Sequence, residues 1–494
     1  MKMKKIALVI MIFTASSCGD DFLDVGLVGS LNETFFLETE EDAILATNSI
    51  YNNLRDWRYH EGFPILDIMS DEARKGSNPA DATQILVFDN FTYGPGEPSI
   101  LGWYTTLYQT IRRANLVIEK IGDIEIEKEF KERLEGEARF LRAYTYFQLV
   151  RGYGNVPLVT TTSPPEKIER TDKDIIYDDL IIPDLLYAIE ELPEKGEYAS
   201  EDLGRASRGA AKGILAKVYL TRGDFPNAEI YALEVIMSGQ YMLDPVYSNV
   251  FSVDGEHGSG SIFEVGALPE NFQEGGHQYA NTQGSKGVPN RGWGFNRPSI
   301  DLINSYEVGD PRMDASIIFL GETLDGITIE GHGGTLDTTY TDETETEILE
   351  IECYNQKTYA SGTTAIESWQ YNVRILRYAD VLLMVAEALN ENDKPDQALI
   401  YLNSVRERAR EGNNAVLPDV TTTDKIELRD AILNERKVEL ALEKHRFFDL
   451  VRTGRAAEVL GPLGFTADKN EVFPIPQSER DLSNGLLTQN DGYN

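Results

Sequence analysis

The chain has 494 residues, of which 41% are hydrophobic and 26% are charged, and its net charge is −36. This length and composition are typical of a globular protein with one large core or two smaller ones. A polyanion of this size repels phosphate backbones and anionic lipid headgroups, so neither nucleic acid nor flat adsorption to a membrane surface is expected.

The N-terminus has the layout of a secretory signal peptide. Three lysines precede an apolar run over residues 6–13, which is too short to span a bilayer, and small residues then lead to Cys18. This order resembles a lipobox, although Ala15 stands where leucine is usual. We therefore expect a lipoprotein signal peptide over residues 1–17, a lipid anchor on Cys18 and a single domain over residues 18–494. The alternative is an ordinary signal peptide followed by an incidental cysteine.

Helical periodicity dominates the mature chain. Apolar residues recur at helical spacing over residues 41–56, 103–121 and 130–150, which predicts three long amphipathic helices. These helices belong to a predicted N-terminal helical part that ends near residue 250. A loop-rich region (251–376) and a C-terminal helical part (377–494) are predicted to follow.

Two segments resemble helical hairpins of the tetratricopeptide type. Ala216 and Ala228 in the first, and Ala386 and Ala398 in the second, are each twelve residues apart. Small residues at such positions let two helix backbones approach closely. We therefore predict an all-α fold, in which tetratricopeptide-like helix pairs form a scaffold and long irregular loop insertions carry the ligand site.

Three insertions differ in composition from the helical segments. Residues 71–102, 254–297 and 321–352 are rich in Gly, Asn, Asp or Thr, and the first two also contain several aromatic residues. Long aperiodic runs are functional loops or disorder, and the aromatic content argues against disorder. A few short strands are predicted within them, for example over residues 261–265.

No motif indicates catalysis. The five histidines lack the spacing of a zinc-binding helix, and neither a nucleophile elbow, a phosphate loop nor a dinucleotide fingerprint occurs. We therefore expect no catalytic residue, no metal site and no cofactor. The charged C-terminal cluster predicts an ion-paired network between helices rather than an active site; its members are Glu435, Arg436, Glu439, Glu443, Arg446, Asp449 and Arg452.

Several longer motifs carry a family resemblance. ILNERKVELA (432–441), RFFDLVR (446–452) and FPIP (473–476) resemble the SusD/RagB family of nutrient-binding outer-membrane lipoproteins. RYADVLL (377–383) and CGDDFLD (18–24) agree with the same family. The resemblance extends over nearly the whole mature chain.

This resemblance implies a function as well as a fold. It implies non-catalytic capture of an oligosaccharide or polysaccharide at the cell surface and its delivery to a TonB-dependent (SusC-like) outer-membrane barrel. The protein would then be lipid-anchored in the outer membrane and face the cell exterior. Some members handle peptides, so peptide capture by the same architecture is the alternative, and a purely structural adhesin is a third hypothesis.

A glycan site needs exposed aromatic faces and planar polar groups, which loops can present. Trp293 is the best platform candidate because Gly292 and Gly294 flank it, whereas Trp103 and Trp369 are assigned to the scaffold. The alternative for each candidate is packing within the fold. The predicted ligand-binding residues are Asp71, Arg74, Tyr93, Tyr279, Asn281 and Trp293.

Overall fold

The structure is a computed structural model that describes residues 37–60, 64–163, 167–268, 278–331, 334–335, 339–341, 348–359 and 371–493. Within these ranges most regular structure is helical. The helices are α1 (Glu40–Leu54), α2 (Ile65–Ile68), α3 (Leu86–Asp89), α4 (Pro98–Lys120), α5 (Lys128–Tyr153), α6 (Lys173–Ile176), α7 (Ile182–Glu191), α8 (Arg208–Arg222), α9 (Phe225–Met237), α10 (Tyr279–Gln283), α11 (Ile300–Ile303), α12 (Pro311–Ser316), α13 (Tyr378–Glu391), α14 (Pro395–Ala409), α15 (Lys425–Glu439), α16 (Arg446–Arg452), α17 (Ala456–Leu460) and α18 (Gln477–Leu482).

The strands are short and form two-stranded antiparallel sheets in the described part of the chain. They are β1 (Ala73–Gly76), β2 (Ser261–Val265), β3 (Phe295–Pro298), β4 (Ile317–Phe319), β5 (Thr323–Leu324), β6 (Ile327–Thr328), β7 (Thr339–Thr341), β8 (Ile348–Ile351), β9 (Cys353–Asn355) and β10 (Val373–Arg377). Strand β1 pairs with β3, β2 with β10, and β4 with β9. In the first of these sheets Ala73 lies opposite Pro298 and Gly76 opposite Phe295.

The two predicted tetratricopeptide-like hairpins are confirmed as the pairs α8–α9 and α13–α14, and α9 also packs on α13. Ala216, Ala228, Ala386 and Ala398 are fully buried where the helices meet. Helix α8 ends at Gly223, whose φ of +74° is a left-handed C-cap conformation that glycine adopts without strain. The predominantly helical fold class is thereby confirmed.

The long predicted helices are confirmed as α1, α4 and α5, which pack against one another. Helix α1 begins at a capping box: the Asp42 amide donates to Thr39 Oγ1 (3.1 Å), and the Thr39 amide donates to the Asp42 carboxylate (3.0 Å). The predicted strand 261–265 is confirmed as β2. None of the helices in the described ranges is both long and apolar enough to cross a bilayer.

One apolar core joins the N-terminal and C-terminal helical parts. It contains buried residues from Ala43 in α1 to Tyr493 near the C-terminus. Trp103 is 2% exposed and packs edge-on against Phe473, which confirms its predicted place in the scaffold. Trp369 lies outside the described residues, as does Cys18.

Candidate ligand-binding site

Two tryptophan rings meet close to the end of α1. Trp57 and Trp293 are both half-buried, their ring centroids are 5.9 Å apart and their planes are inclined by 55°. Trp57 opens a short 3₁₀ turn that follows α1, whereas Trp293 comes from the loop between α10 and β3. Together the rings form a bent aromatic surface that is partly open to solvent. Such a surface suits the apolar C–H face of a sugar ring.

The backbone around Trp293 is closely packed. The Trp293 amide donates to the Asn281 carbonyl (2.8 Å), and the Gly294 amide donates to the Gly284 carbonyl (2.9 Å). A Cβ atom added to Gly292 would lie 2.5 Å from the Gly284 Cα and 2.6 Å from the Asn281 carbonyl oxygen. The flanking glycines therefore permit a close approach between two stretches of backbone, which fixes the position of the indole ring.

A buried cluster of amide side chains lies beneath this loop. Gln283 Oε1 accepts hydrogen bonds from Asn296 Nδ2 and Asn355 Nδ2 (both 2.8 Å), and Gln283 Nε2 donates to the Tyr279 carbonyl (3.1 Å). Asn296 Nδ2 also donates to the carboxylate of Asp67 (3.1 Å). These hydrogen bonds tie α10 to β3, β9 and α2. A buried network of hydrogen bonds that joins several elements restrains the loop.

The structure places Asp71 in an ion-paired cluster rather than at an open surface. Its carboxylate accepts hydrogen bonds from Lys437 Nζ (2.8 Å) and Arg446 Nε (2.8 Å), and the residue is 6% exposed. Burial by itself would raise the pKa of Asp71, but Arg446 and Lys437 lower it to about 2. Asp71 is therefore removed from the set of ligand contacts, because both of its oxygens are engaged inside the protein.

Arg74 remains more accessible than Asp71. It lies in β1, and its guanidinium donates to the carbonyl of Ala73 (2.7 Å) and reaches the carboxylate of Asp301 at 3.4 Å. Its side chain is 20% exposed. Since β1 pairs with β3, which directly follows the Trp293 loop, Arg74 stays a predicted ligand contact.

Three other predicted contacts are buried. Tyr93 is 4% exposed and stacks between Phe88 and Tyr493. Tyr279 stacks on a second buried tyrosine, and the Asn281 side chain is fully buried. Their rings and amides are covered by residues distant in sequence, so these three predictions are corrected: Tyr93 belongs to the core, while Tyr279 and Asn281 support the Trp293 loop.

Sequence reasoning missed two features of the site. Trp57 carried only a weak signal, as an aromatic residue between Asp56 and Arg58 just after a predicted helix. Lys286 had no such signal: its Nζ donates to Ser77 Oγ (2.9 Å) and pairs with Asp81. The Lys286 Cβ lies 3.0 Å from the position of a Cβ on Gly294, so the base of this side chain adjoins the loop of Trp293.

Comparison with known proteins decides the family. SusD-like protein P2 of Formosa agariphila is 30% identical over 521 aligned residues, which cover 100% of both chains. The chain belongs to the SusD family. The SusD family model matches residues 259–493, and a second model, described as starch-binding and associating with the outer membrane, matches residues 36–220. A SusD-like protein of Bacteroides ovatus is 27% identical over 91% of this chain and 82% of its own.

Solved structures of SusD-like proteins share the fold. A laminarin-binding SusD-like protein is 28% identical, covers 92% of this chain and 100% of its own, and superposes with a TM-score of 0.77. Surface glycan-binding protein A from Bacteroides thetaiotaomicron, solved with laminarihexaose, is 25% identical with a TM-score of 0.75 and covers 92% of this chain and 99% of its own. A SusD homologue from the same organism reaches a TM-score of 0.80 at 25% identity, covering 93% and 98%.

Three of the motifs that carry the SusD resemblance, over residues 377–383, 432–441 and 446–452, contribute to buried ion pairs, as the charge pattern predicts. Glu439 accepts hydrogen bonds from Arg312 (3.1 Å), Arg377 (3.0 Å) and Arg408 (2.5 Å). Burial would raise the pKa of Glu439, but Arg408 and Arg377 lower it to about 2. These SusD motifs therefore hold the scaffold together and carry no information about the ligand. The same group of ion pairs includes Asp310, Arg406, Glu435 and Glu443. A second buried group consists of Asp380, Glu387, Arg436, Asp449 and Arg452.

Proposed function

We propose that this protein is a non-catalytic outer-membrane lipoprotein that captures a glycan at the cell surface and delivers it to a TonB-dependent (SusC-like) barrel. The observation that carries the proposal is the partly exposed pair of Trp57 and Trp293, in which the backbone of Trp293 is held by hydrogen bonds. Aromatic faces beside planar polar groups are the usual elements of a sugar site.

The comparisons support the same proposal. Two similar proteins are described as laminarin-binding or as solved with laminarihexaose, and the family model over residues 36–220 is described as starch-binding. The outer-membrane part of the proposal draws on that model's description and on the lipobox at Cys18. Delivery to a barrel follows from the family resemblance.

Calorimetric titration against matched panels of oligosaccharides and peptides tests the ligand class. Laminari- and malto-oligosaccharides are the first probes, and the control is a set of neutral peptides of similar size. Heat with the sugars and none with the peptides is expected. Binding heat with the peptides alone would favour peptide capture over glycan capture. No binding heat with either panel would favour the structural adhesin.

Delivery to a barrel is tested separately. The lipoprotein, carrying a C-terminal affinity tag, is purified in mild detergent from membranes of the native host. We expect a TonB-dependent barrel to copurify with it at near-equal amounts. A control purification with a tagged, unrelated outer-membrane lipoprotein should lack that barrel. The partnership would be refuted if the barrel were absent from both purifications or present in both.

A further inference from the structure

A second concave surface lies beside the aromatic pair. A cavity of about 360 Å³ opens between the C-terminal half of α1, residues 201–205 and the end of β2. We call it the α1 groove. Its volume falls within the range of ~300–1,000 Å³ that is usual for small-ligand sites. Neither the sequence motifs nor the aromatic pair account for it.

One wall of the α1 groove is a row of planar polar groups. Asn48 and Asn52 are four residues apart, so they lie on the same face of α1, and both side chains are exposed. Arg205 Nη2 donates to the Asn48 amide oxygen (2.9 Å), and Arg55 donates to the amide oxygen of Asn52. The guanidinium groups thus hold both amides in place before any ligand arrives.

The Arg205 guanidinium is itself held in place by two carboxylates. It forms ion pairs with the buried carboxylate of Glu137 (3.0 Å) and with Asp202 (2.6 Å), and its guanidinium lies 5.9 Å from the centre of the Tyr51 ring. This polar wall is therefore preorganised, which lowers the entropy cost of binding a hydroxylated ligand.

The α1 groove is also lined by apolar residues. Leu203 and Leu268 are 42% and 57% exposed, respectively. Between them Gly204, at a φ of +99°, leaves room for the His257 ring, whose Cε1 atom would lie 2.9 Å from an added Cβ. The groove thus offers both hydrogen-bonding groups and aliphatic surface. A sugar chain likewise combines a hydroxyl rim with C–H faces.

Charges of both signs line the groove. Glu201 and Glu264 face the same cavity as Arg55 and Arg205. Hydroxyl groups both donate and accept hydrogen bonds, so they satisfy such a mixed lining, whereas a ligand of one formal charge meets repulsion on one side.

The groove lies within reach of the aromatic pair. Arg55 lines the groove and Trp57 follows two residues later, so the two features are separated by roughly 7 Å of chain at most. We propose that the α1 groove binds further sugar units of the same glycan whose leading unit stacks on Trp57 and Trp293. This inference rests on the proposed function, and it predicts that affinity grows with chain length.

The test compares two ligand lengths by calorimetry on the full mature chain. The probes are laminaritriose and laminarihexaose, with maltotriose and maltohexaose as the second series. The wild-type protein should bind the hexaose of one series at least ten times more tightly than its triose. The double variant Asn48→Ala/Asn52→Ala should lose most of this gain, about five- to tenfold, while its affinity for the triose stays unchanged.

The matched control is Gln397→Ala, which removes an exposed amide from α14 and should change neither affinity. Equal binding of triose and hexaose by the wild type would overturn the groove proposal and leave glycan capture intact. So would a double variant that keeps the full length gain or loses affinity for both lengths equally. If the wild-type protein binds no member of either series, and Trp293→Ala likewise binds none, glycan capture and the groove proposal are both overturned.

Discussion

Trp57 and Trp293 come from opposite halves of the chain, yet their rings touch at 55° and neither is fully buried. Because each ring covers part of the other, the pair acts as one surface rather than as two separate contacts. The loop of Trp293 is held by backbone hydrogen bonds to Asn281 and Gly284, so the indole ring does not have to be ordered on binding.

Replacing Trp293 by alanine should weaken binding and hardly change the melting temperature. Aromatic contacts are worth ~0.5–1.5 kcal/mol beyond area burial, which corresponds to a loss of up to about tenfold in affinity. Calorimetry with laminarihexaose and thermal melting by circular dichroism measure the two effects. The control Trp103→Ala should instead cost roughly 3–5 kcal/mol of stability, since Trp103 is a core residue. A melt of Trp293→Ala that falls as far as that of the control would mean that Trp293 is packing.

The amide cluster under the loop should control the order of the Trp293 backbone. Gln283→Met keeps the side-chain volume but leaves Asn296 and Asn355 without their shared acceptor, at a cost of ~1–3 kcal/mol. We expect hydrogen exchange of the amides of residues 291–294 to accelerate about tenfold or more, measured by mass spectrometry without ligand. Unchanged exchange in this segment would show that the cluster does not position Trp293.

The matched control for this experiment is Asn470→Leu. Asn470 is also buried, and its Nδ2 donates to the hydroxyls of Tyr93 (3.2 Å) and Tyr493 (3.1 Å) rather than to a residue of the Trp293 loop. This variant should lose a similar amount of stability while exchange over residues 291–294 stays at the wild-type rate.

Arg452 should matter for stability and not for the ligand. Its guanidinium donates to Glu387 (2.8 Å) and Asp449 (2.8 Å), and its side chain is 7% exposed. Arg452→Ala leaves the buried Glu387 carboxylate without its counter-charge, whereas Asp449 keeps its ion pair with Arg436 (2.9 Å). Such an unpaired buried carboxylate costs ~3–5 kcal/mol in urea unfolding. Arg455→Ala removes a half-exposed pair with Asp430 and should cost no more than about 1 kcal/mol. A stable Arg452→Ala variant that no longer binds glycan would contradict the division between scaffold and site.

Glu72 should make the protein less stable as the pH rises. Burial, together with the neighbouring Asp67 carboxyl, raises the pKa of Glu72 to about 8 from its usual 4.5. The folded state therefore holds this proton more tightly than the unfolded state, so stability falls between about pH 4.5 and pH 8. Glu72→Gln keeps the acceptor for the Leu442 amide (3.0 Å). It should be more stable than the wild type at pH 7, by at least about 1.4 kcal/mol, the equivalent of one pKa unit, and equally stable near pH 4.

Glu443→Gln is the control, because Glu443 should change the stability with pH in the opposite direction to Glu72. Burial would raise the pKa of Glu443, but Arg377 and Lys357 lower it to about 2. Its carboxylate therefore stabilises the fold above about pH 4.5, and this contribution disappears as the pH falls towards 2. The variant should be less stable than the wild type at pH 7. Urea unfolding of both variants and the wild type from about pH 2 to pH 8 measures the two slopes. Parallel slopes above pH 4.5 for wild type and Glu72→Gln would exclude Glu72 as their source.

Cys18→Ala should release the protein from the membrane fraction of its host. Acyl chains on Cys18 would provide the anchor, and firm attachment requires more than one chain. Cell fractionation with immunoblotting measures the distribution, in a strain that lacks the partner barrel. Cys353→Ala removes a thiol that is fully buried and should leave the protein in the membrane fraction. A Cys18→Ala protein that stays with the membrane would contradict the lipobox.

The helical scaffold could be predicted because its signals are local. The spacing of Ala216 and Ala228, and the apolar period of residues 41–56, depend only on helix geometry, and the structure confirms them as α8–α9 and α1. The C-terminal charges likewise predicted an ion-paired network, since so many arginines and glutamates on adjoining helices cannot be buried unless they are paired.

The ligand surface was decided by tertiary contacts. Asp71 and Tyr93 looked accessible in an aperiodic loop, but Arg446 neutralises the first and Tyr493 covers the second, each more than 300 residues away. Trp57 became a candidate only when folding brought Trp293 against it. The sequence shows which residue types are present and the periodicity of each helix or strand, because both depend on neighbours along the chain. Which loop side chains stay open to a ligand depends on what the rest of the chain packs over them.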